Sequence, residues 1–253
     1  MRVRRRLRGG AYLLPSLFTI GNILLGFYAI VRGLRGDFEN AALCIFAAAV
    51  LDGLDGRIAR LTHTESDFGK EFDSLADVLT FGLTPALLTY LWGLRDLGRV
   101  GWLFPLYFLV CTATRLARFN VQTRIVDSRY FVGLPSPAGA GSIAAFLLIA
   151  PASDWRPWCQ AAMLFALFCV GTLMVSTFRY PSFKKIDLRQ RRSYRVALPL
   201  AGILSLLAWR PTSFFLGAAI LYTLAGPIGW LWGRVRRRDP ENETEPEVVP
   251  EAR

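Results

Sequence analysis

Asp52-Gly53-Leu54-Asp55-Gly56-Arg57-Ile58-Ala59-Arg60 and, after eight intervening residues, Gly69-Lys70-Glu71-Phe72-Asp73-Ser74-Leu75-Ala76-Asp77 place four aspartates inside or beside apolar runs. An unpaired acid at mid-bilayer costs on the order of 3 kcal/mol, so four together require a compensating partner and mark a functional site. At about 100° per residue, Asp52, Asp55, Gly56, Ala59 and Arg60 occupy an arc of about 140° on one side of a helix. Gly69, Asp73 and Asp77, four residues apart, form a second stripe. A short polar loop, Thr62 to Ser66 with His63, joins the two helices and makes them antiparallel. Folding one onto the other sets Asp52 level with Asp77 and Asp55 within one residue of Asp73. The two levels differ by roughly 5 Å, close to the separation of paired catalytic metals once side chains converge. An all-oxygen site suits Mg²⁺ or Mn²⁺, and the lack of Cys or His beside it argues against zinc.

Working outward, the 253 residues are 53% hydrophobic, with a mean hydropathy of +0.34. That exceeds what a soluble domain of this length buries. Apolar stretches fall at 12–33, 38–61, 70–94, 100–118, 134–151, 157–178, 194–209 and 212–233. Several approach the ~20 residues that cross a bilayer. The expectation is an all-α integral membrane protein with about eight transmembrane helices over residues 12–233. The stretch 194–209 is the shortest. Residues 1–11 read as a basic interfacial segment ahead of an uncleaved first helix, since the apolar run is too long for a signal peptide and contains Pro15 and Asn22. Residues 234–253 read as a charged tail, rich in Glu and Pro and disordered.

Basic residues orient the bundle. With both termini cytoplasmic, 24 of the 30 Lys and Arg lie on the cytoplasmic side, leaving only Arg32, Arg35, Arg95, Arg99, Arg156 and Arg210 outside. The acidic stretches then open toward the cytoplasm. The net charge of +11 fringes membrane spans instead of forming a basic soluble face, which favours anionic headgroups over nucleic acid as its partner. Cys44, Cys111, Cys159 and Cys169 have no paired spacing and read as small core residues.

Written as Asp-x2-Asp-Gly-x2-Ala-Arg-x8-Gly-x3-Asp-x3-Asp, the opening stretch resembles the signature of the CDP-alcohol phosphotransferase family. Other segments look like its phosphatidylserine synthase branch. These are Pro15 to Asn22, Phe68 to Asp77, Arg115 to Val121, Gly133 to Ala138 and Arg179 to Lys184, so the resemblance covers most of residues 10–190. Ser16 departs from the Asn common at its position.

The resemblance implies a multi-pass enzyme of the cell membrane, active on the cytoplasmic side. It would move a phosphatidyl group from CDP-diacylglycerol to the hydroxyl of L-serine and release CMP. Asp52, Asp55, Asp73 and Asp77 would hold two divalent ions, and Asp77 would be the base. Gly56, Ala59, Arg60, Gly69, Thr19 and Asn22 would receive the CDP diphosphate. Dimerisation is the usual state of the resembled family, with no single dimer motif in this chain.

Serine brings a carboxylate that needs a cationic anchor, and Arg118, Arg179 and Lys184 lie at cytoplasmic helix ends, with Tyr180 and Ser182 beside them. The rival role of such residues is topological anchoring, which is assigned to Arg189, Arg191 and Arg192. Two other functions fit parts of the pattern. Transfer to glycerol phosphate or inositol phosphate would use the same chemistry with a more basic pocket. A cation transporter would spread its acids along a path through the membrane, whereas these gather at one end.

Overall fold

Polar side chains are buried beside an apolar core while many large apolar ones face outward in the computed structural model, which describes residues 13–62, 67–122, 130–150, 157–181 and 211–236. Thr19, Asn22, Asp77, Thr80, Thr84, Thr112, Arg115 and Ser136 are buried, while Leu24, Phe27, Phe165 and Leu221 are more than 60% exposed. Water would not sustain that arrangement, but lipid does.

Helix α1 (Leu13–Leu34) reverses into α2 (Phe38–Thr62). Gly36 takes a positive φ of 78° at the turn. Asp37 caps α2, its Oδ1 accepting from the Asn40 N–H at 3.2 Å, and its Oδ2 pairs with Arg32 at 3.0 Å. The two helices pack along most of their length because Ala29, Ala41, Ala42 and Ala48 present small surfaces, each fully buried.

The third rod starts as α3 (Asp67–Asp77), widens into a π-helical turn over Val78–Leu83, narrows to α4 (Thr84–Thr89), and widens again over Tyr90–Leu94. Pro85 has no N–H to give its preceding turn, which favours a change of pitch there. Two hydroxyls then sew this rod to α1: Thr80 Oγ1 donates to the Asn22 carbonyl at 3.2 Å and Thr84 Oγ1 to the Gly26 carbonyl at 3.3 Å. The approach is so close that a Cβ at Gly26 would stand 2.8 Å from Thr80 Oγ1.

Helices α5 (Arg99–Gln122), α6 (Ser136–Ile149), α7 (Pro157–Val175) and α8 (Pro211–Arg236) complete the bundle. α5 packs on α7, and α6 lies between α2 and α8. Trp92 Nε1 reaches the Ala150 carbonyl at 2.7 Å and Gln160 Nε2 the Gly93 carbonyl at 2.7 Å, tying the far end of the third rod to α6 and α7. Two three-residue strands, β1 (Tyr130–Val132) and β2 (Arg179–Pro181), pair antiparallel with Phe131 opposite Tyr180.

Seven of the eight expected stretches thus coincide with helical rods. The stretch 194–209 lies outside the described residues, as do the segment 1–11 and, of the tail expected over 234–253, residues 237–253; residues 234–236 are helical, the end of α8. Among the described residues, four rods are long and apolar enough to cross a membrane: Leu17–Leu34, Phe68–Leu97, Arg99–Val121 and Pro157–Val175. α6 is shorter, at 14 residues, and α2 carries its aspartates and arginines in its last third. Cys111 and Cys159 are buried and Cys44 and Cys169 half-buried, all as free thiols.

Gly133 follows β1 with φ 82°, and a Cβ there would overlap the Met174 carbonyl oxygen. Its N–H donates to the Phe178 carbonyl at 2.8 Å. Gly133→Ala is therefore expected to destabilise the fold by about 2 kcal/mol or more, read as a lower thermal midpoint in detergent. A midpoint equal to that of the parent would contradict this account of the β1–α6 corner.

Candidate active site

Asp52 lies ten residues before the end of α2, and Asp77 ten residues after the start of α3. At about 1.5 Å per residue, both stand roughly 15 Å from the helix ends that the hairpin joins, and this is why an antiparallel pair brings them together. One carboxylate oxygen from each of Asp52, Asp73 and Asp77 lies within 4.8 Å of the other two. Asp52 and Asp73 are half-buried and Asp77 is 8% exposed. The expected meeting of α2 and α3 acids is thus realised for three of the four. Asp55, Gly56, Ala59 and Arg60 continue α2 beyond Asp52, with side chains outside the described residues. Gly69 shares the α3 stripe and is half-buried.

Three like charges so close repel strongly in a low-dielectric interior. Asp77 Oδ1 is buried with no hydrogen-bond partner, an acceptor held ready for something that the chain does not supply. An all-carboxylate set with an orphaned oxygen fits a hard divalent cation. The chain's single histidine, His63, lies outside the described residues.

Thr19 and Asn22 reach the interior from α1, 4% and 1% exposed. The Asn22 backbone carbonyl is engaged by Thr80, three residues beyond Asp77, yet neither Oδ1 nor Nδ2 of its side chain has a partner. A fully buried carboxamide with all its bonds unmade is costly unless a ligand completes it.

Arg115 of α5, unremarkable in sequence beyond its place in the Arg115 to Val121 segment, proves to be central. It is 6% exposed and lies within electrostatic reach of Asp77, Asp52, Tyr222 and Arg118. Its Nη1 donates to Ser136 Oγ at 2.8 Å, its Cζ lies 5.8 Å from the Phe119 ring centroid, and its Nε has no partner. An arginine at the end of an apolar run reads as a topological anchor, so its inward turn had no signal in sequence except the three-residue spacing from Arg118.

Arg118 donates from Nη1 to the Val175 carbonyl at 2.9 Å and from Nη2 to the Ser176 carbonyl at 3.1 Å, closing the C-terminal end of α7. Asn120 Nδ2 donates to Ser74 Oγ at 2.9 Å, fastening α5 to α3 beside the acids. Tyr180 on β2 is fully buried, and its hydroxyl donates to the Thr223 carbonyl at 3.2 Å. Burial, with Tyr222 close by, pushes that phenol up to about 12, so it remains a neutral donor at physiological pH. The side chain of Arg179, and all of Ser182 and Lys184, lie outside the described residues.

The chain is similar in sequence to known proteins. The CDP-alcohol phosphatidyltransferase family profile matches residues 12–178. A protein of Helicobacter pylori (strain ATCC 700392 / 26695) named CDP-diacylglycerol--serine O-phosphatidyltransferase is 40% identical over 230 residues, 89% of this chain and 94% of its own length. Proteins of the same name from Bacillus subtilis (strain 168) and Methanocaldococcus jannaschii are 35% and 32% identical, over 68% and 81% of this chain and 92% and 90% of theirs.

Proposed function

The chain belongs to the CDP-alcohol phosphatidyltransferase family, and we propose that it transfers the phosphatidyl group of CDP-diacylglycerol to the hydroxyl of L-serine, yielding phosphatidylserine and CMP. The observation that carries the reading is the meeting of Asp52, Asp73 and Asp77 within 4.8 Å across two helices. The names of relatives that this chain covers nearly end to end supply the acceptor.

In mechanism, Asp52, Asp73 and Asp77, joined by Asp55, would hold two divalent ions, Mg²⁺ or Mn²⁺. When bound, these would neutralise charge on the diphosphate as it is cleaved. Gly56, Ala59 and Gly69 keep the helix surfaces bare for the nucleotide, and Arg60, Thr19 and Asn22 bind it. The serine hydroxyl oxygen attacks the lipid-bearing phosphorus while the bond from that phosphorus to the CMP oxygen breaks. Asp77 accepts the hydroxyl proton, effective through position more than through basicity. Acceptor binding is assigned to Arg118, Arg179, Tyr180, Ser182 and Lys184, which the sequence sets near the cytoplasmic helix ends.

The reading includes a catalytic domain over residues 12–233 between the basic segment 1–11 and the tail 234–253, with eight spans. Both termini and the acids face the cytoplasm at the cell membrane, since 24 of 30 basic residues fall on that side. Membrane lipids and the dimer usual in the family are its further partners. A transporter would need acids strung along a path through the membrane, and these gather at two adjacent levels.

Purified full-length protein given CDP-diacylglycerol and serine, glycerol phosphate or inositol phosphate in turn is expected to release CMP with serine alone. Release with a phosphorylated acceptor and none with serine would overturn the assignment.

A further inference from the structure

Arg115 is a buried residue, 6% exposed, its guanidinium held by one neutral hydroxyl and within electrostatic reach of acids that the reaction needs for another purpose. Five N–H donors in a fixed fork need acceptors, and its Nε has none. Once divalent cations occupy the aspartates, their charge is spent on those ions, and Arg115 remains a desolvated cation with an open donor.

Two anions enter this site in the reaction proposed above, on which the present inference rests: the donor's diphosphate and the acceptor's carboxylate. The diphosphate is matched by the ions on the aspartates. The carboxylate needs a cation of its own; of those assigned to the acceptor, Arg118 spends two of its nitrogens on the Val175 and Ser176 carbonyls, and the side chains of Arg179 and Lys184 lie outside the described residues. We infer that Arg115, oriented by Ser136, binds the carboxylate of the incoming amino acid and so sets the choice of serine over alcohols that lack one. Spacing supports this. Serine's hydroxyl oxygen and carboxyl carbon are about 3 Å apart, three bonds of ordinary length, so an anchored carboxylate leaves its hydroxyl beside the anchor's neighbours. Asp77 is first among the charges that act on Arg115. Planar, bidentate recognition is what an arginine provides and a lysine does not. Ser136 is a positioning residue: its hydroxyl fixes Nη1 and so directs the rest of the fork.

The test compares L-serine with serinamide and 2-aminoethanol, which keep the hydroxyl and lose the carboxylate. CMP release is measured on full-length protein with CDP-diacylglycerol and Mn²⁺. In Arg115→Gln the serine KM is expected to rise about 100-fold, the KM for CDP-diacylglycerol to stay within about two-fold, and the preference for serine over serinamide to collapse. Arg115→Lys should recover part of that preference, and Ser136→Ala should raise the serine KM by about five-fold. Equal losses with serine and serinamide, or a raised KM for CDP-diacylglycerol, would overturn the inference and make Arg115 a counter-ion of the aspartates or a donor-lipid contact. Should Arg115→Gln fail to fold, the serine-to-serinamide ratio in Arg115→Lys and Ser136→Ala decides in the same way. A parent protein that ignores serine but uses another alcohol would instead defeat the proposed function, and that is seen before any variant is made.

Discussion

Asp77→Asn is expected to lower CMP release at saturating substrates by about 10³-fold or more while the protein still binds CDP-diacylglycerol. The exchange preserves shape. It removes a negative charge from a trio within 4.8 Å of one another, at a residue only 8% exposed. Like charges at that distance oppose folding, so their reduction should leave the thermal midpoint in detergent unchanged or higher. That combination, a lost rate without a lost fold, separates chemistry from structure. A merely structural aspartate would give the reverse, with turnover persisting in whatever fraction remains folded. Turnover within ten-fold of the parent at saturation, with only lipid affinity reduced, would remove Asp77 from the role of base.

Much of this site was legible because one helical period decides it. Asp52 with Asp77 follows from a hairpin whose two arms are equally long, and repeats of four on Gly69, Asp73 and Asp77 leave a single face on which to place them. The apolar stretches locate helices for the same reason, since burial in lipid imposes length. What escaped depends on contacts between distant segments. The widened turn at Val78–Leu83 comes from Pro85 together with the stitching of Thr80 and Thr84 to α1, which no local window contains. The β1–β2 pair joins residues some fifty positions apart. Arg115 and Arg118 look alike in sequence, each basic and each at the end of an apolar run. Only the position of Ser136 on α6 and of the α7 carbonyls separates a guanidinium facing the acids from one that closes a helix.

Stripping divalent cations should abolish transfer altogether, and adding back Mg²⁺ or Mn²⁺ should restore it. The carboxylates themselves give the reason. Asp52, Asp73 and Asp77 have one nearby buried cation, Arg115, among the described residues, and the buried Oδ1 of Asp77 lacks a partner. The crowding of three carboxylates in the folded protein gives repulsion that ion binding would relieve. Anything that binds the native state alone stabilises it in proportion to the logarithm of its concentration over Kd, amounting to about 2.7 kcal/mol at one hundred times Kd. The thermal midpoint should accordingly climb with Mn²⁺ in the absence of any substrate. Asp52→Asn, which removes a proposed ligand on α2, should flatten that climb without lowering the starting midpoint. Zinc should substitute poorly, because the cluster offers only oxygens. An enzyme that turns over fully in excess chelator, or whose midpoint ignores Mn²⁺ while Asp52 and Asp77 are intact, would mean that the three acids come together for a purpose other than holding ions.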